Sequence, residues 1–316
     1  MRVVSFGECM LELQGEAFGA MQQTFGGDTL NTAVYLARCG RRHGIEVSYA
    51  TGLGDDALSA GMMQRWAAEG IDLAFVRRIP GRMPGLYLIE VDPAGERRFS
   101  YWREQSAARA YFDAPPGDTP LEARADEIDA LYFSGISLAI LPPAARARLW
   151  AVAERLRGRG ATVAFDNNYR PRLWPDAATA REAFARALAL ASIALLTLDD
   201  DIALWGDGAT APDAQLARAL DAACPEVVVK RGSAPTLVRV AGQAPAEAAT
   251  EPVPRVVDTT AAGDSFAGGY LAARFAGASA LDAARAGNRL AARVVQHRGA
   301  LIAPAAMADL MAAPAA

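Results

Sequence analysis

Cysteine and histidine are scarce in this chain of 316 residues, which has three cysteines and two histidines. The cysteines (Cys9, Cys39 and Cys224) lie far apart in the sequence, so they indicate neither a zinc site nor a disulfide framework. The histidines, His43 and His297, leave little room for a Ser-His-Asp triad or a histidine-bound metal. The scarcity therefore argues against hydrolytic chemistry of the serine type and against a metal centre built on these ligands.

Long hydrophobic runs are also missing. No stretch approaches the ~20 apolar residues that a membrane-spanning helix needs, and the first residues enter a strand-like pattern without the segments of a secretion signal. The formal net charge is −4, whereas a non-specific nucleic-acid binder carries a basic surplus. We therefore expect a cytoplasmic protein that binds neither membranes nor nucleic acid. Its 52% hydrophobic content is sufficient for a large core.

Lysine is almost absent. Of the 32 residues that are lysine or arginine, Lys230 is the only lysine. A bias toward arginine codons explains most of this imbalance. The single lysine follows the apolar run 227–229 and precedes Arg231-Gly232. That position is the carboxyl end of a predicted strand, where open α/β sheets bind their ligands. Lys230 is therefore a candidate ligand-binding residue.

The stretch 257–269 (VDTTAAGDSFAGG) carries the strongest chemical signal. Backbone N–H groups in a loop of Thr, Ala and Gly that leads into a helix can converge on an anion, and the helix dipole adds to the attraction. Asp264 lies in the first helical turn, where we expect the helix terminus to keep its carboxylate ionised. A carboxylate beside a phosphate cradle suits a base that accepts a hydroxyl proton during phosphoryl transfer. The alternative is an ordinary helix-capping aspartate.

A second glycine-rich turn, Gly26-Gly27-Asp28-Thr29-Leu30-Asn31, lies near the other end of the chain. Its two glycines allow the backbone to approach a ligand closely. Asp28 and Asn31 offer acceptor and donor groups to sugar hydroxyls, and residues 29–39 have the apolar spacing of a helix. The alternative is a plain turn in which Asp28 caps that helix.

These two stretches resemble the signatures of a known family. Residues 258–271 resemble the C-terminal signature of the ribokinase-like (PfkB) carbohydrate kinases, and residues 26–40 resemble the family's N-terminal substrate-binding signature. The resemblance implies that Asp264 is the catalytic base. It also implies an anion hole formed by the amides of Ala261, Ala262 and Gly263. No G-x-x-x-x-G-K-[ST] pattern occurs, so a P-loop kinase is not expected.

The rest of the chain alternates strand-like and helix-like segments. This alternation predicts an α/β protein with a doubly wound, mostly parallel sheet and helices on both faces. Two β-rich runs, residues 85–91 and 97–103, flank the turn sequence 92–95 and predict a hairpin. By the resemblance, the chain is a single ribokinase-like domain over residues 1–316, with a β-sheet lid drawn from about residues 9–24 and 72–104. The family also implies a homodimer formed through that lid.

Further segments narrow the resemblance to kinases of 2-dehydro-3-deoxygluconate. These segments are Gly26–Asn31, Pro84–Tyr87, Tyr101–Arg103, Ser134–Leu138 and Asp166–Trp174. Such a substrate carries a carboxylate, which calls for the planar donor fork of an arginine. Arg103 and Arg170 are the candidates, and both are expected to face one crevice. Tyr87 and Tyr101 would add an apolar wall with hydroxyl tips. The implied substrate-binding set is Gly27, Asp28, Asn31, Tyr87, Tyr101, Arg103, Arg170 and Asp264.

The implied reaction transfers the γ-phosphoryl group of ATP to the hydroxyl farthest from the substrate's carboxylate. The implied ATP-binding set is Asn168, Arg170, Thr197, Lys230, Arg231, Gly232, Ala261, Gly263 and Asn288. Mg²⁺ is expected to arrive with ATP, held largely by phosphate oxygens and water rather than directly by protein ligands. A monovalent cation such as K⁺ beside the anion loop is compatible with this site. The acidic run 199–201 is better explained by helix capping than by metal ligation.

Other functions stay open at this point. The nearest is the same chemistry on another acceptor, as in a fructokinase or a 5-dehydro-2-deoxygluconate kinase. A nicotinamide-dependent oxidoreductase would need G-x-G-x-x-G after the first strand, and Phe6-Gly7-Glu8-Cys9 does not supply it. A non-catalytic sugar sensor on the same fold would have no need for Asp264 in an intact loop.

Overall fold

The computed structural model describes residues 1–16, 18–91, 97–206 and 211–311. The turn sequence 92–95, at which the predicted hairpin reverses, lies outside these ranges. Within them, no helix is both long enough and apolar enough to span a bilayer.

Strands and helices alternate along most of the chain. The strands are β1 (Arg2–Phe6), β2 (Met10–Gly15), β3 (Met21–Gly26), β4 (Glu46–Leu53), β5 (Ile71–Asp72), β6 (Val76–Arg78), β7 (Leu86–Val91), β8 (Arg97–Trp102), β9 (Ala130–Ser134), β10 (Thr162–Asp166), β11 (Ile193–Thr197), β12 (Glu226–Arg231), β13 (Ala234–Val240) and β14 (Ala246–Ala248). The helices are α1 (Asp28–Gly40), α2 (Ala57–Ala68), α3 (Pro120–Ala123), α4 (Gly135–Ile140), α5 (Pro143–Gly158), α6 (Ala177–Leu190), α7 (Leu198–Trp205), α8 (Pro212–Leu220), α9 (Ala262–Phe275), α10 (Ala280–Val294) and α11 (Ala308–Met311).

The central sheet has the strand order β14-β13-β12-β11-β10-β9-β1-β4-β5, and β6 pairs with β4 beside this path. Every pair from β12 through β5 is parallel, whereas β13 and β14 add an antiparallel edge. Parallel neighbours need crossover connections, which the intervening helices provide. The predicted mostly parallel sheet is confirmed.

Helices cover both faces of this sheet. In β1, Val4 and Phe6 point into a core that includes Trp150 of α5 and Phe184 of α6. Val3 points to the opposite side, into a core built with α1, α9 and α10. A strand buried on both faces requires apolar residues at successive positions, as in a doubly wound sheet. The prediction of helices on both faces is therefore also confirmed.

A second, four-stranded sheet forms the lid, in the order β3-β2-β7-β8. Strands β7 and β8 are antiparallel, as the hairpin prediction required. The predicted lid boundaries need correction, because β5 and β6 (residues 71–72 and 76–78) pair in parallel with β4 of the central sheet. The chain leaving α2 thus first extends the central sheet and joins the lid only at β7. At its other end, the lid reaches Gly26 through β3.

Helices α1 and α9 pack closely at Gly268. A Cβ atom there would lie 2.6 Å from the Tyr35 Cβ and 2.9 Å from the Thr32 carbonyl oxygen. Only a residue without a side chain allows these two helices to approach so closely. The Thr32 hydroxyl also donates to the backbone oxygen of Asp264 at 3.2 Å. The packing therefore fixes the two glycine-rich signatures against each other.

We expect Gly268→Ala to destabilise the protein by about 1–3 kcal/mol, because the added methyl group overpacks the contact between α1 and α9. Urea denaturation measures the effect. The matched control is Gly158→Ala at the end of α5, where a Cβ meets no atom within 4 Å. Equal unfolding midpoints for the two variants would contradict the packing argument.

A buried polar cluster fixes α9 against β12. Glu226, at the start of β12, accepts hydrogen bonds from the Tyr270 hydroxyl at 2.6 Å and from Arg274 Nη2 at 2.8 Å. The far end of β12 carries Lys230, and the beginning of α9 carries Asp264. The Glu226 contacts join β12 to α9 away from the ends that carry Lys230 and Asp264. They thereby fix the distance between these two side chains.

Candidate active site

A cleft of about 540 Å³ lies at the carboxyl ends of β10, β11 and β12, between the amino ends of α1 and α9 and the lid. Clefts of this size accommodate small organic ligands, and this edge is where open α/β sheets bind them. Its lining includes nearly all of the predicted site residues: Gly27, Asp28, Asn31, Tyr87, Tyr101, Asn168, Arg170, Thr197, Lys230, Arg231, Gly232, Ala261, Ala262, Gly263, Asp264 and Asn288. Arg103 is the predicted residue that is missing from this lining.

The loop before α9 has the geometry of an anion site. Ala261 has a left-handed backbone (φ 60°, ψ 18°), a conformation that costs energy in a non-glycine residue. Asp258 holds the loop, because its carboxylate accepts from the amides of Thr260 and Gly299, each at 3.0 Å. The Gly263 amide lies in the first helical turn, where the helix supplies no acceptor. The Ala262 amide, in contrast, already donates to the Thr259 carbonyl at 3.2 Å.

Asp264 lies at the bottom of the cleft. Its Oδ2 accepts a hydrogen bond from Asn31 Nδ2 at 2.9 Å, so the two signature segments meet directly. The pKa of Asp264 is raised from 3.8 to about 7, first by burial and then by the negative charges of Asp28 and Asp166. The expectation that the helix terminus keeps this carboxylate ionised therefore does not hold at neutral pH, where a pKa of about 7 leaves it partly protonated. Desolvation and two neighbouring acids outweigh the Asn31 hydrogen bond and the ammonium of Lys230.

Two polar pairs join segments around the cleft, one between β12 and β10 and the other between the turn after β10 and α1. Lys230 Nζ donates to Asp166 Oδ2 at 2.7 Å, and both side chains are buried. Burial raises the pKa of Asp166 in spite of that ammonium. Asn168 Nδ2 donates to Asp28 Oδ2 at 2.8 Å. Burial likewise raises the pKa of Asp28. Asp28, Asp166 and Asp264 all line the cleft, and the ammonium of Lys230 lowers the pKa of the last two against the effect of burial.

The two predicted carboxylate-binding arginines have different surroundings. Arg170 lines the cleft, where its Nη1 donates to both Asp200 carboxylate oxygens at 3.0 and 3.1 Å. Arg103 lies at the end of the lid sheet, where it forms a buried ion pair with Glu8. The positive charge of Arg103 still lowers the pKa of Asp28, so it remains electrostatically close to the substrate signature. Arg170 is the arginine that a ligand in the cleft reaches directly.

An aromatic wall covers the lid side of the cleft. Tyr87 and Tyr101 are directly opposite each other on β7 and β8, with ring centroids 5.8 Å apart in a stacked arrangement. The Tyr87 hydroxyl donates to the Glu12 carboxylate. The Tyr101 hydroxyl accepts from Arg172 Nη2 at 2.9 Å, and that guanidinium also lies over the Tyr101 ring. Both phenol rings are therefore held in place before any ligand binds.

Sequence reasoning missed several residues of the lining. Asp166 was named only as the first residue of the resembling segment 166–174 and was given no role, although a polar residue that ends a buried parallel strand is itself a signal of a ligand site. Asp200 was assigned to helix capping, and it does lie in the first turn of α7, yet it also binds Arg170. Thr259, Thr260 and Phe266 also line the cleft, within the stretch 257–269 but without a role assigned to them, and the unpredicted lining residues are Met10, Phe99, Ile136, Thr236 and Ala291. No sequence pattern distinguishes these from ordinary core or loop residues.

Comparison with known proteins gives a consistent result over nearly the whole chain. Residues 1–306 match the family model described as pfkB family carbohydrate kinase. The chain is 46% identical over 302 residues to the 2-dehydro-3-deoxygluconokinase of Dickeya dadantii, covering 95% of this chain and 96% of that protein. It is 44% identical over 308 residues to the 2-dehydro-3-deoxygluconokinase of Escherichia coli K12, covering 97% and 98%.

Solved structures show the same fold. The aminoimidazole riboside kinase of Salmonella enterica, complexed with aminoimidazole riboside and an ATP analogue, superposes with a TM-score of 0.79 at 26% identity, covering 99% of this chain and 100% of that one. An Escherichia coli protein solved with ATP and Mg²⁺ gives a TM-score of 0.80 at 22% identity, covering 95% and 94%. The predicted ribokinase-like fold is confirmed.

Proposed function

The chain belongs to the pfkB family of carbohydrate kinases, and we propose on that basis that it phosphorylates 2-dehydro-3-deoxy-D-gluconate with ATP. The product is 2-dehydro-3-deoxy-6-phosphogluconate. The observation that carries this assignment is the 46% identity, over nearly the full length of both chains, to a 2-dehydro-3-deoxygluconokinase. The enzyme is accordingly a sugar-acid kinase, a phosphotransferase with an alcohol group as acceptor.

In the proposed mechanism, Asp264 accepts the proton of the substrate's terminal hydroxyl. The hydroxyl oxygen forms a bond to the γ-phosphorus while the bond from that phosphorus to the bridging oxygen of ADP breaks. The amides of Ala261 and Gly263 stabilise negative charge on the group in transfer, and the Ala262 amide joins them once its 3.2 Å bond to the Thr259 carbonyl opens. The hydrogen bond from Asn31 supports this role, because it directs the Asp264 carboxylate toward the sugar side of the cleft. A pKa of about 7 supports it as well, since about half of such groups are ionised at neutral pH and the protonated form holds the proton it accepts.

Substrate recognition is proposed to use both ends of the sugar acid. Gly27, Asp28 and Asn31 bind its hydroxyl groups, and the Tyr87–Tyr101 wall packs against its carbon chain. Arg170 supplies the donors for the carboxylate, supported by its position in the cleft and its charged partner Asp200. Arg103 contributes a second positive charge, which reaches this region from its pair with Glu8.

ATP and Mg²⁺ complete the proposed active site. The nucleotide contacts are Asn168, Arg170, Thr197, Lys230, Arg231, Gly232, Ala261, Gly263 and Asn288, which all line the cleft. Among the described residues, no three His, Cys, Asp or Glu side chains stand close enough together to hold a metal ion. A Mg²⁺ ion would be carried largely by phosphate oxygens and water and would neutralise charge on the transferred group when bound. A monovalent cation such as K⁺ beside the anion loop stays a prediction.

The test of this function is ATP consumption by the purified protein with Mg²⁺, offering 2-dehydro-3-deoxygluconate, fructose and ribose in parallel. We expect strong preference for the keto acid. Equal or faster turnover of fructose would overturn the assignment of the acceptor and leave the family assignment standing. Binding of a sugar acid without turnover of any acceptor would instead indicate a sensor.

The lid is also proposed to form a homodimer. Strand register places Trp102 on the face of the lid sheet opposite Tyr87 and Tyr101, beside Leu86, Leu11 and Phe25, which pack against the core of the central domain. The Trp102 side chain is 59% exposed there. An exposed tryptophan on an apolar sheet face is typical of a protein interface.

We expect Trp102→Glu to convert a dimer into a monomer, because a carboxylate at the centre of an apolar interface must be desolvated. Light scattering coupled to size-exclusion chromatography measures the mass. Val256→Glu is the matched control, since Val256 is 58% exposed and lies outside the lid. A wild-type monomer, or a Trp102→Glu protein that stays dimeric, would contradict the lid interface.

A further inference from the structure

The Asp166–Lys230 pair is the one oppositely charged, buried pair in the lining of the cleft among the described residues. The two residues belong to β10 and β12, which are separated by β11, so the lysine reaches across the end of the middle strand. The Asp166 and Lys230 side chains are only 5% and 10% exposed. Burial of such a pair costs desolvation energy that apolar residues would avoid, so its presence calls for a role beyond stability.

The ammonium of Lys230 lies against the anion loop as well as against Asp166. A Cβ atom on Gly263 would be 3.5 Å from Lys230 Nζ, so the ammonium is adjacent to the amides that are proposed to bind the transferred phosphoryl group. An ammonium has three donors on a flexible stem and can serve two anions at once or alternate between them.

We propose that Asp166 is a positioning residue that shares the Lys230 ammonium with the phosphoryl group and thereby balances the charge around Asp264. This inference rests on the proposed kinase function and assigns a role to Asp166 within that site. With the cleft empty, the carboxylate of Asp166 holds the ammonium beside the loop. When ATP binds, the γ-phosphoryl group competes for the same donors, and Asp166 limits how tightly the nucleotide is held.

Charged and titratable groups face Asp264 from several elements. Asp28 on α1 and Asp166 on β10 raise its pKa, whereas Lys230 on β12 lowers it. Its remaining titratable neighbours are the phenols of Tyr35 on α1 and Tyr132 on β9, whose pKa values are raised by burial. Since Asp28 and the phenols are unchanged in variants of the pair, the pair can be tested by removing its two charges separately and together.

The experiment compares the wild type with Asp166→Asn, Lys230→Met and the double variant. The first measurement is the pH dependence of kcat/KM for the sugar acid. We expect Asp166→Asn to move its acid limb to lower pH and Lys230→Met to move it to higher pH, each by about one unit. The double variant has the same net charge as the wild type, so the acid limb of its kcat/KM profile should lie at nearly the same pH as in the wild type.

The second measurement is affinity for a non-hydrolysable ATP analogue with Mg²⁺, measured by calorimetry. Lys230→Met should weaken binding by about tenfold, Asp166→Asn should tighten it, and the double variant should lie between them. This measurement does not depend on the acceptor, so it tests the pair even if the wild type fails to phosphorylate the keto acid. The double variant also leaves no unpaired buried charge, so it remains informative if a single variant does not fold.

A purely structural role for Asp166 predicts a different pattern. Asp166 Oδ1 also accepts from the Asn168 amide at 3.2 Å, so it could serve only to order that turn. In that case Asp166→Asn would weaken nucleotide binding, and adding Lys230→Met would weaken it further. Additive losses of this kind, or acid limbs that shift in the same direction in both single variants, would overturn the proposal.

Discussion

Asp264→Asn is expected to lower kcat by roughly three orders of magnitude, because the amide cannot accept the hydroxyl proton. The carbonyl oxygen of the new side chain can still accept from Asn31, so the variant should bind the keto acid and nucleotide with little change. In the wild type, kcat/KM should rise with pH through about 7 as Asp264 loses its proton. The residual activity of the variant should lack this limb. Single-turnover kinetics and equilibrium binding separate the two effects.

The same substitution should stabilise the folded protein at alkaline pH. A carboxyl whose pKa is raised on folding from 3.8 to about 7 favours the native state below the lower value, and this contribution is lost as pH rises through the higher one. We therefore expect wild type and variant to differ little at pH 4 and the variant to be more stable by up to about 4 kcal/mol at pH 8. Urea denaturation at the two pH values measures this. A variant that is less stable than the wild type at pH 8 would contradict the buried, charge-crowded environment of Asp264.

Arg170→Met is expected to lower kcat/KM for the keto acid by about a hundredfold, since a charge-assisted hydrogen bond contributes about 1.5–3 kcal/mol. Without the Arg170 guanidinium, the substrate carboxylate is unpaired and faces Asp200, so charge repulsion lowers kcat/KM further. Turnover of a neutral ketose should fall much less, because it has no carboxylate to lose. The ratio of the two kcat/KM values isolates this effect from any change in ATP binding, which is shared by both substrates.

Arg186→Met is a suitable control for Arg170→Met. Arg186 pairs with Glu154 and is about as exposed as Arg170, but it lies on the outer surface of α6, away from the cleft. The control should leave both kcat/KM values unchanged. An equal loss on keto acid and neutral ketose in Arg170→Met would show that Arg170 acts on the nucleotide alone. The carboxylate would then need another partner, of which Arg103 is the nearest candidate.

Much of the fold could be predicted because its signals are local. Buried parallel strands such as β10 and β12 read as short apolar runs, and α1 and α9 begin directly after glycine-rich loops. Strand β3 was missed because most of its residues are polar and exposed at the edge of the lid, so no apolar alternation marks it. Strands β5 and β6 were misassigned to the lid. Their pairing with β4 depends on the direction in which the chain runs after α2, and no local sequence signal gives that direction.

The residue types of the site could be predicted from the sequence, but the charge environment of those residues could not. The residue types of the anion loop and the substrate turn are visible in the sequence, and the structure brings both to one cleft. The raised pKa of Asp264, in contrast, depends on Asp28 and Asp166, which come from distant parts of the chain. The pairing of Arg103 with Glu8 is equally invisible, because it connects the end of β8 to the segment after β1. Such pairs emerge only from the folded geometry.

The solitary lysine beside the anion loop has a practical consequence for chemical labelling. Apart from the α-amino group, Lys230 is the protein's one primary amine, and it is nearly enclosed by the cleft. An aldehyde-bearing nucleotide that enters the cleft can therefore form an imine at one side chain, and reduction would make that attachment permanent. General amine reagents, by contrast, find almost no lysine on the outer surface. A reporter group could thus be placed at the phosphate end of the cleft without introducing a single mutation.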